Sequence, residues 1–512
     1  MDSLKDGDSR SSNLRDSMSK KQKGGVSGVE ETLDRVSELP DALLVQILSL
    51  LPTKDAVASC VLSKRWCYLW YSIYNFLFIN SDYRTENFIY FVDHVLTHCT
   101  CSNIKKFQLN FDYMTRWNFE LETIRWIGFA VERKVEDVIL CSDDEEFTYK
   151  LPLSMGTCSS LITLNLSHWV FDKRLAIAWN SLKSLKLDLI SLDDADIVNL
   201  LSGCPAMETL ELFFFRGFRR LEITSSNLKR LTLAGHWRPD FENDTSLEIT
   251  APYLQHLEIS GNLYNLMCRL VNVSSLVNAK LTFNITCIKS IQSGEYDNDV
   301  EEVTCGDYHQ AFRTLVQDYL HKLSYATELS IGTCFREVLC ASQFEGVPWV
   351  LIPDLKCKYL TLELHIGNFN LHGLAGLLRA SPNVETLNID IAITDFGSPC
   401  RFESRYLGKV DNANIVRRIS SFQFPNLKIV KIGISVEVCL KYNFACQFKK
   451  LFELSKFLLK IATVLEKFII TSERRRCRRC SMNCESLLLS QLAEKLLGCA
   501  RYSANPVFIF QK

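Results

Sequence analysis

An apolar sextet, L-x-x-L-x-L with Val, Ile, Ala, Cys, Met or Phe admitted in the apolar slots, recurs along most of this chain and constrains its fold more than any other feature. Clear copies fall at Ile104/Phe107/Leu109, Val135/Val138/Leu140, Leu161/Leu164/Leu166 and Leu182/Leu185/Leu187. They continue at Met207/Leu210/Leu212, Leu228/Leu231/Leu233 and Leu254/Leu257/Ile259. More degenerate copies follow at Ala326/Leu329/Ile331, Cys357/Leu360/Leu362, Val384/Leu387/Ile389 and Leu427/Val430/Ile432. The central copies are spaced by roughly 21 to 26 residues, within the range of leucine-rich repeats. The last two apolar positions alternate as in a short strand with one buried face, and the first, three residues earlier, packs the turn beneath it. No single copy can bury its apolar face, so neighbours must stack into an array. Two units match in detail. Ile197 to Pro205 leads into Met207-Glu208-Thr209-Leu210, and Leu374 to Pro382 leads into Val384-Glu385-Thr386-Leu387, each reading as a short helix stopped by a proline and then a strand.

The acidic run Gly294 to Glu302 interrupts the rhythm, which predicts an exposed loop inserted at about 284–325. Residues 1–33 are rich in Ser, Lys, Asp and Gly without apolar periodicity and read as a disordered tail. Within it, Lys20, Lys21 and Lys23 suit either a short nuclear-import signal or a solvated tail.

Between the tail and the array, residues 34–80 follow a helical rhythm. Pro40 opens a helix carrying Leu43, Leu44, Ile47, Leu48 and Leu51, which Pro52 stops. Thr53 is placed to cap a second helix bearing Ala56, Val57, Cys60 and Val61. Ser63 precedes a third with Trp66, Leu69 and Trp70. Three short helices bury too little surface to stand alone, so this unit must pack on something else.

A formal net charge of -1 over 512 residues argues against bulk electrostatic capture of nucleic acid or an anionic membrane. No uninterrupted apolar run reaches the roughly 18 residues of a membrane span, and the start has no signal-peptide core. The 20 cysteines are scattered singly through apolar segments, as free thiols of a reducing compartment are. The expectation is a soluble protein of the nucleus, the cytoplasm or both. Cys477, Cys480 and Cys484 form the one metal-like spacing, but three ligands among Arg474, Arg475, Arg476, Arg478 and Arg479 do not make a structural zinc site. No nucleophile elbow, phosphate loop or zinc-protease motif is present, so neither catalysis nor a cofactor is expected.

The helical unit resembles a plant-type F-box. The resemblance rests on Asp34 to Asp41, Leu48 to Val57 and Val61 to Trp66, closing on Leu69-Trp70. The C-terminal part resembles the FBD domain found after the repeats in many plant F-box proteins. Its marks are Phe424 to Lys428, Phe457 to Lys460, Val464 to Ile470, Ala500 to Ala504 and Val507 to Phe510. The implied α/β architecture is a three-helix F-box (34–80), an irregular leucine-rich-repeat solenoid (100–400) and an FBD-type α/β region (401–512).

By resemblance, the F-box docks on the Skp-type adaptor of a Skp–cullin–F-box ubiquitin ligase, and through it meets cullin and RING subunits. The residues implied in docking are Leu39, Pro40, Leu43, Leu44, Ile47, Leu48, Val57, Leu62, Trp66 and Leu69. Each is as well suited to the unit's own core. The repeats would hold a target protein on their concave strand face and rim loops. Candidate target-facing residues after repeat strands are His168, Trp169, Phe214, Phe215, His236 and Trp237, which suit burial under the next loop equally well. The competing reading is a non-degradative scaffold that uses the F-box only to pair with the adaptor.

Overall fold

The computed structural model describes residues 36, 38–80, 85–111, 120–142, 149–237, 246–263, 267–285, 314–332, 352–365, 371–393, 423–436, 444–472, 484–499, 503 and 506–511. Among them, the repeat strands form one parallel sheet of 15 strands in chain order. It runs from Asn75–Asn80 (β1), Lys106–Phe111 (β2) and Asp137–Ser142 (β3) to Lys467–Ser472 and Val507–Gln511. The register aligns the first strand leucine of each repeat in one ladder, beginning Phe76, Phe107, Val138, Leu164, Leu185. That ladder ends through Leu387, Val430 and Phe468. A second ladder, Phe78, Leu109, Leu140, Leu166, Leu187, runs beside it on the same face. Both are buried, as is the sextet's leading residue at Ile104, Val135, Leu161 and Leu182. Stacking therefore satisfies the alternating pattern that no repeat could satisfy alone.

Backbone geometry breaks this alternation at one edge of the sheet. Leaving successive strands, His168, Leu189 and Phe214 take φ of 66°, 53° and 45°, followed by Gly235 at 115° and Gly261 at 99°. The residues before them are register partners, Ser167 to Asp188 to Phe213 to Ala234 to Ser260. The N–H groups of His168, Leu189 and Phe214 donate across the stack to the carbonyls of Asp188, Phe213 and Ala234 at 2.9, 3.0 and 3.0 Å. A left-handed residue turns the chain over, so the next side chain re-enters the interior: Trp169, Ile190 and Phe215 are all buried. Gly261 has no alternative, because a Cβ there would overlap the Gly235 carbonyl oxygen.

On the other layer, the two matched units carry the helices their sequences predict, Asp194–Gly203 and Leu371–Arg379. The first begins with a reciprocal capping box between Asp193 and Asp196. Elsewhere short strands take the place of helices. Arg220–Glu222, Ser246–Thr250 and Met267–Asn272 form a separate parallel sheet, and Tyr149–Lys150 pairs with Trp169–Val170.

The expected inserted loop needs correction. The strand Asn278–Ile285 enters that segment, and residues 314–322 are helical, with Leu315, Val316, Tyr319, Leu320 and Leu323 buried at helical spacing. The acidic run at 294–302 lies outside the described residues, as does the N-terminal tail. Helices Phe444–Ile461 and Cys484–Leu497 cover the C-terminal strands, which extend the same sheet.

The helical unit, Asp41–Leu48 (α1), Thr53–Ala58 (α2) and Trp66–Leu69 (α3), seals the free edge of β1. The first strand thus lies within the segment 34–80. Thr53 does not cap α2; its buried hydroxyl accepts the Leu77 N–H of β1 at 2.7 Å. Asn75 Nδ2 donates to the Ser49 carbonyl at 2.9 Å. Trp70, Ile73 and Phe76 carry the core across the junction without a gap. Beyond it, helices Thr85–His98 (α4) and Glu120–Glu132 (α5) are clamped by Asp93, which accepts two Arg125 hydrogen bonds at 2.8 Å and the Trp126 indole N–H at 2.7 Å.

Candidate interaction surfaces

Helix α1 divides its apolar residues between two faces, as its sequence order requires. Leu44 and Leu48 lie four residues apart and point inward, with exposures of 0% and 1%. Leu43 and Ile47, on the neighbouring stripe, are open to solvent. The same outward surface continues in sequence through Leu50 (78% exposed) and Leu51, and again at Val61 (83%) and Leu62 (65%) just after α2. Leaving so many large aliphatic side chains in water is costly, at about 1.5–3 kcal/mol for each side chain that burial would shelter. A concentration of this kind in a unit of this size marks an interface.

The ten candidate docking residues therefore separate. Pro40, Leu43, Ile47 and Leu62 are exposed, and Leu39 and Val57 are half-buried. Leu44, Leu48, Trp66 and Leu69 are buried and set the helices in place. Leu50, Leu51 and Val61 were missed by motif matching, because an aliphatic residue at a helix end reads as core until the packing is seen. Arg65 fixes the surface from below: its Nε donates to Asp41 at 2.7 Å and its Nη2 to the Leu39 carbonyl, pinning the start of α1.

The exposed face of the long sheet is built from the residues between the buried ladders, and its middle is charged. Lys280 pairs with Glu258 at 3.0 Å, and Asn278 donates to Glu328 at 2.7 Å. Glu363 and Asp390 are register partners on adjacent strands. Partial burial raises both carboxyls above the usual range, with Lys280 pulling the other way. Asp390 and Glu258 raise Glu363 further. The absent side chain of Gly433 leaves room for the Asp390 carboxylate. Desolvation and Arg230 lower the His256 imidazole, against a smaller opposing pull from Glu328.

Of the candidate target-facing residues, Trp169 and Phe215 are core, turned inward by the left-handed residue before each. Trp169 lies against Tyr149, with ring centroids 5.4 Å apart, and Phe215 stacks on Phe218 at 5.1 Å. Phe214 is exposed and His168 half-buried. Leu189, between them in the stack, is exposed and was not anticipated, because nothing in its sequence context announces a positive φ. His236 and Trp237 end a strand, and their side chains lie outside the described residues. Cys477 and Cys480 are likewise outside them, as is the Cys484 side chain. Among the described residues no cluster of three His, Cys, Asp or Glu side chains is set to hold a metal ion. No described helix is long and apolar enough to cross a membrane.

Comparison with known proteins agrees with this geometry. Residues 36–78 match the F-box domain, and residues 95–501 match the leucine-rich-repeat domain described as At1g61320/AtMIF1, LRR domain. The second match runs across most of the region that resembles the FBD domain. Relatives in Arabidopsis thaliana include F-box/LRR-repeat protein At3g18150, 33% identical over 70% of this chain and 73% of the relative. F-box/LRR-repeat protein At3g03360 is 30% identical over 73% and 74%, and F-box/LRR-repeat protein At5g02910 is 31% identical over 70% and 72%. With both its helical unit and its repeat array matched, the chain belongs to the F-box/LRR-repeat protein family.

Proposed function

We propose that the protein is the substrate-recognition subunit of a Skp–cullin–F-box ubiquitin ligase. The supporting observation is the outward apolar surface of the F-box, Leu43, Ile47, Leu50, Leu51, Val61 and Leu62, in a unit whose other face is already occupied by β1. A surface with one side sealed and the other aliphatic fits a partner that supplies the complementary apolar groove. In this reading Pro40, Leu43, Ile47 and Leu62 touch the Skp-type adaptor, Leu39 and Val57 border the contact, and Leu44, Leu48, Trp66 and Leu69 hold the helices that present it.

The protein performs no chemistry itself. It holds a target beside a ubiquitin-loaded conjugating enzyme carried by the cullin and RING subunits, so acceleration comes from proximity and orientation. The target sits on the exposed sheet face, where Glu258, Lys280, Glu363 and Asp390 supply charge and His168, Leu189 and Phe214 form a ridge at its edge.

Adaptor pull-down tests the docking half. Leu43→Asp and Leu62→Asp abolish recovery of the recombinant adaptor while leaving the thermal midpoint within a degree or two of wild type. Undiminished recovery by both variants overturns the docking surface. Target lifetime tests the ligase half, because a non-degradative scaffold leaves the bound protein's half-life unchanged.

A further inference from the structure

Helix α4 ends at His98, and the chain turns through Cys99-Thr100-Cys101 before β2. The two sulfur atoms flanking Thr100 approach to 2.9 Å, closer than unbonded sulfurs ordinarily pack. Both cysteines are half-buried, sheltered without being sealed. Their electrostatic situations are opposite. Either sulfur can donate in this contact; with Cys101 as the donor it favours the Cys99 thiolate, and the Arg133 guanidinium just past α5 adds positive charge and a hydrogen bond. Together these outweigh burial and hold the Cys99 thiol down to about 7. The Cys101 thiol is pushed well up, first by donating to Cys99 and then by burial. At the enclosed thiols burial dominates: it pushes Cys204 and Cys268 up to about 12 and Cys357 to about 11, against weaker hydrogen bonds from Tyr319 to Cys268 and from Ser381 to Cys357.

A nucleophilic thiolate with a protonated thiol held against it is the arrangement that two-step thiol oxidation requires. We propose that Cys99 and Cys101 are a peroxide-reactive dithiol, Cys99 as the attacking sulfur and Cys101 as the resolving one. The Cys99 thiolate attacks a peroxide oxygen, the O–O bond breaks, and Cys99 becomes a sulfenic acid with hydroxide leaving. The Cys101 sulfur then attacks the Cys99 sulfur to form the disulfide, and its proton leaves with the sulfenic hydroxyl as water; the proton Cys99 gave up on ionising turns the released hydroxide into the second water. One hydrogen peroxide is reduced to two waters while the two thiols lose two electrons and two protons.

Thr100 lies inside the ring this bond closes, which gives the modification a structural consequence. Its N–H donates to the Tyr71 carbonyl at 2.8 Å, its hydroxyl donates to the same carbonyl at 3.1 Å, and the hydroxyl also meets Ser72 at 3.3 Å. Drawing the sulfurs from 2.9 Å to the roughly 2.05 Å of a disulfide turns the peptide that makes these bonds. The oxidation site thus sits on the junction between the F-box and the array.

The test is a time course of the purified full-length chain with limiting hydrogen peroxide, followed by thiol alkylation and peptide mass analysis. Cys60 and Cys67, half-buried cysteines of the F-box, serve as internal references. The peptide containing Cys99 and Cys101 is expected to lose two hydrogens at least ten-fold faster than either reference is consumed. Its rate falls about ten-fold from pH 8 to pH 6, as a thiol titrating near 7 dictates. In Cys101→Ser the reaction stops at a Cys99 sulfenic acid that dimedone captures. Oxidation no faster than at Cys60 and Cys67, or a Cys99 disulfide to another cysteine instead of Cys101, overturns the proposal.

Discussion

Thr53 Oγ1 and the Leu77 N–H meet at 2.7 Å across the junction of the F-box and the repeat sheet. The contact joins the first residue of α2 to the middle of β1, on the side of that strand with no neighbouring strand. An unpaired edge is an invitation to pair with another chain, and here a helical unit covers it instead. Thr53→Val preserves shape and leaves the N–H of half-buried Leu77 without its acceptor, at a cost of about 1–3 kcal/mol. Urea unfolding reads that loss, and hydrogen exchange at the Leu77 amide rises with it.

Adjacent residues of α1 have opposite roles. Leu44 is 0% exposed whereas Leu43 is 46% exposed. Leu44→Ala is expected to destabilise the chain by about 2–5 kcal/mol through the cavity it leaves. Leu43→Ala changes stability by less than about 0.5 kcal/mol. Paired denaturation curves check the contrast, and equal losses would place Leu43 in the core.

The left-handed stack makes a prediction whose sign reverses over one residue. Leu189 holds φ of 53° and is 47% exposed, so Leu189→Gly relieves a conformation costing roughly 1–2 kcal/mol and forfeits little burial. Part of the gain is offset by the greater freedom of glycine in the unfolded chain. The expected net effect is a small rise in thermal midpoint. Ile190→Ala, at the next position, is expected to cost about 2–5 kcal/mol. Differential scanning calorimetry of the two variants separates these effects.

Glu363 gives the sheet face a pH dependence. Its carboxyl is raised in the folded state, chiefly by desolvation, so folding favours the protonated form. That stabilising contribution is fully present below the unfolded value of about 4.3 and is lost as pH rises through the raised folded value. Glu363→Gln, which mimics the neutral form, is therefore expected to raise the melting temperature at pH 7.5. The advantage over wild type fades toward pH 4. Melting curves at the two pH values decide it, and a variant less stable than wild type at pH 7.5 reverses the sign.

The repeat ladder was legible because aliphatic side chains at fixed spacing have few uses other than stacking. From Ile104 to Ile432, the named sextets became strands with their leucines buried. The strand Asn75–Asn80 was hidden for a physical reason: it belongs to the array but follows the third F-box helix immediately, and its slots are filled by Phe76 and Phe78. The short strands opposite the main sheet, such as Arg220–Glu222, were also unread, since three residues carry no periodicity. The candidate docking residues were named as one set that the sequence could not divide. Leu43 and Leu44 are chemically alike, and only packing tells which one meets water. For the edge aromatics the sequence left exposure and burial open, because Trp169 and Phe215 are turned inward by a backbone torsion that sequence does not encode at His168 or Phe214.

Because α2 is hydrogen-bonded directly to β1, no tether intervenes between the F-box and the first repeat. In the proposed ligase a cargo resting on the sheet would be carried like a tool on a fixed arm, at a constant bearing and distance from the docking end. On that proposal, selection among the cargo's lysines would become a matter of reach: those on the presented side and at the right radius would be served, and the rest would be out of range whatever their chemistry.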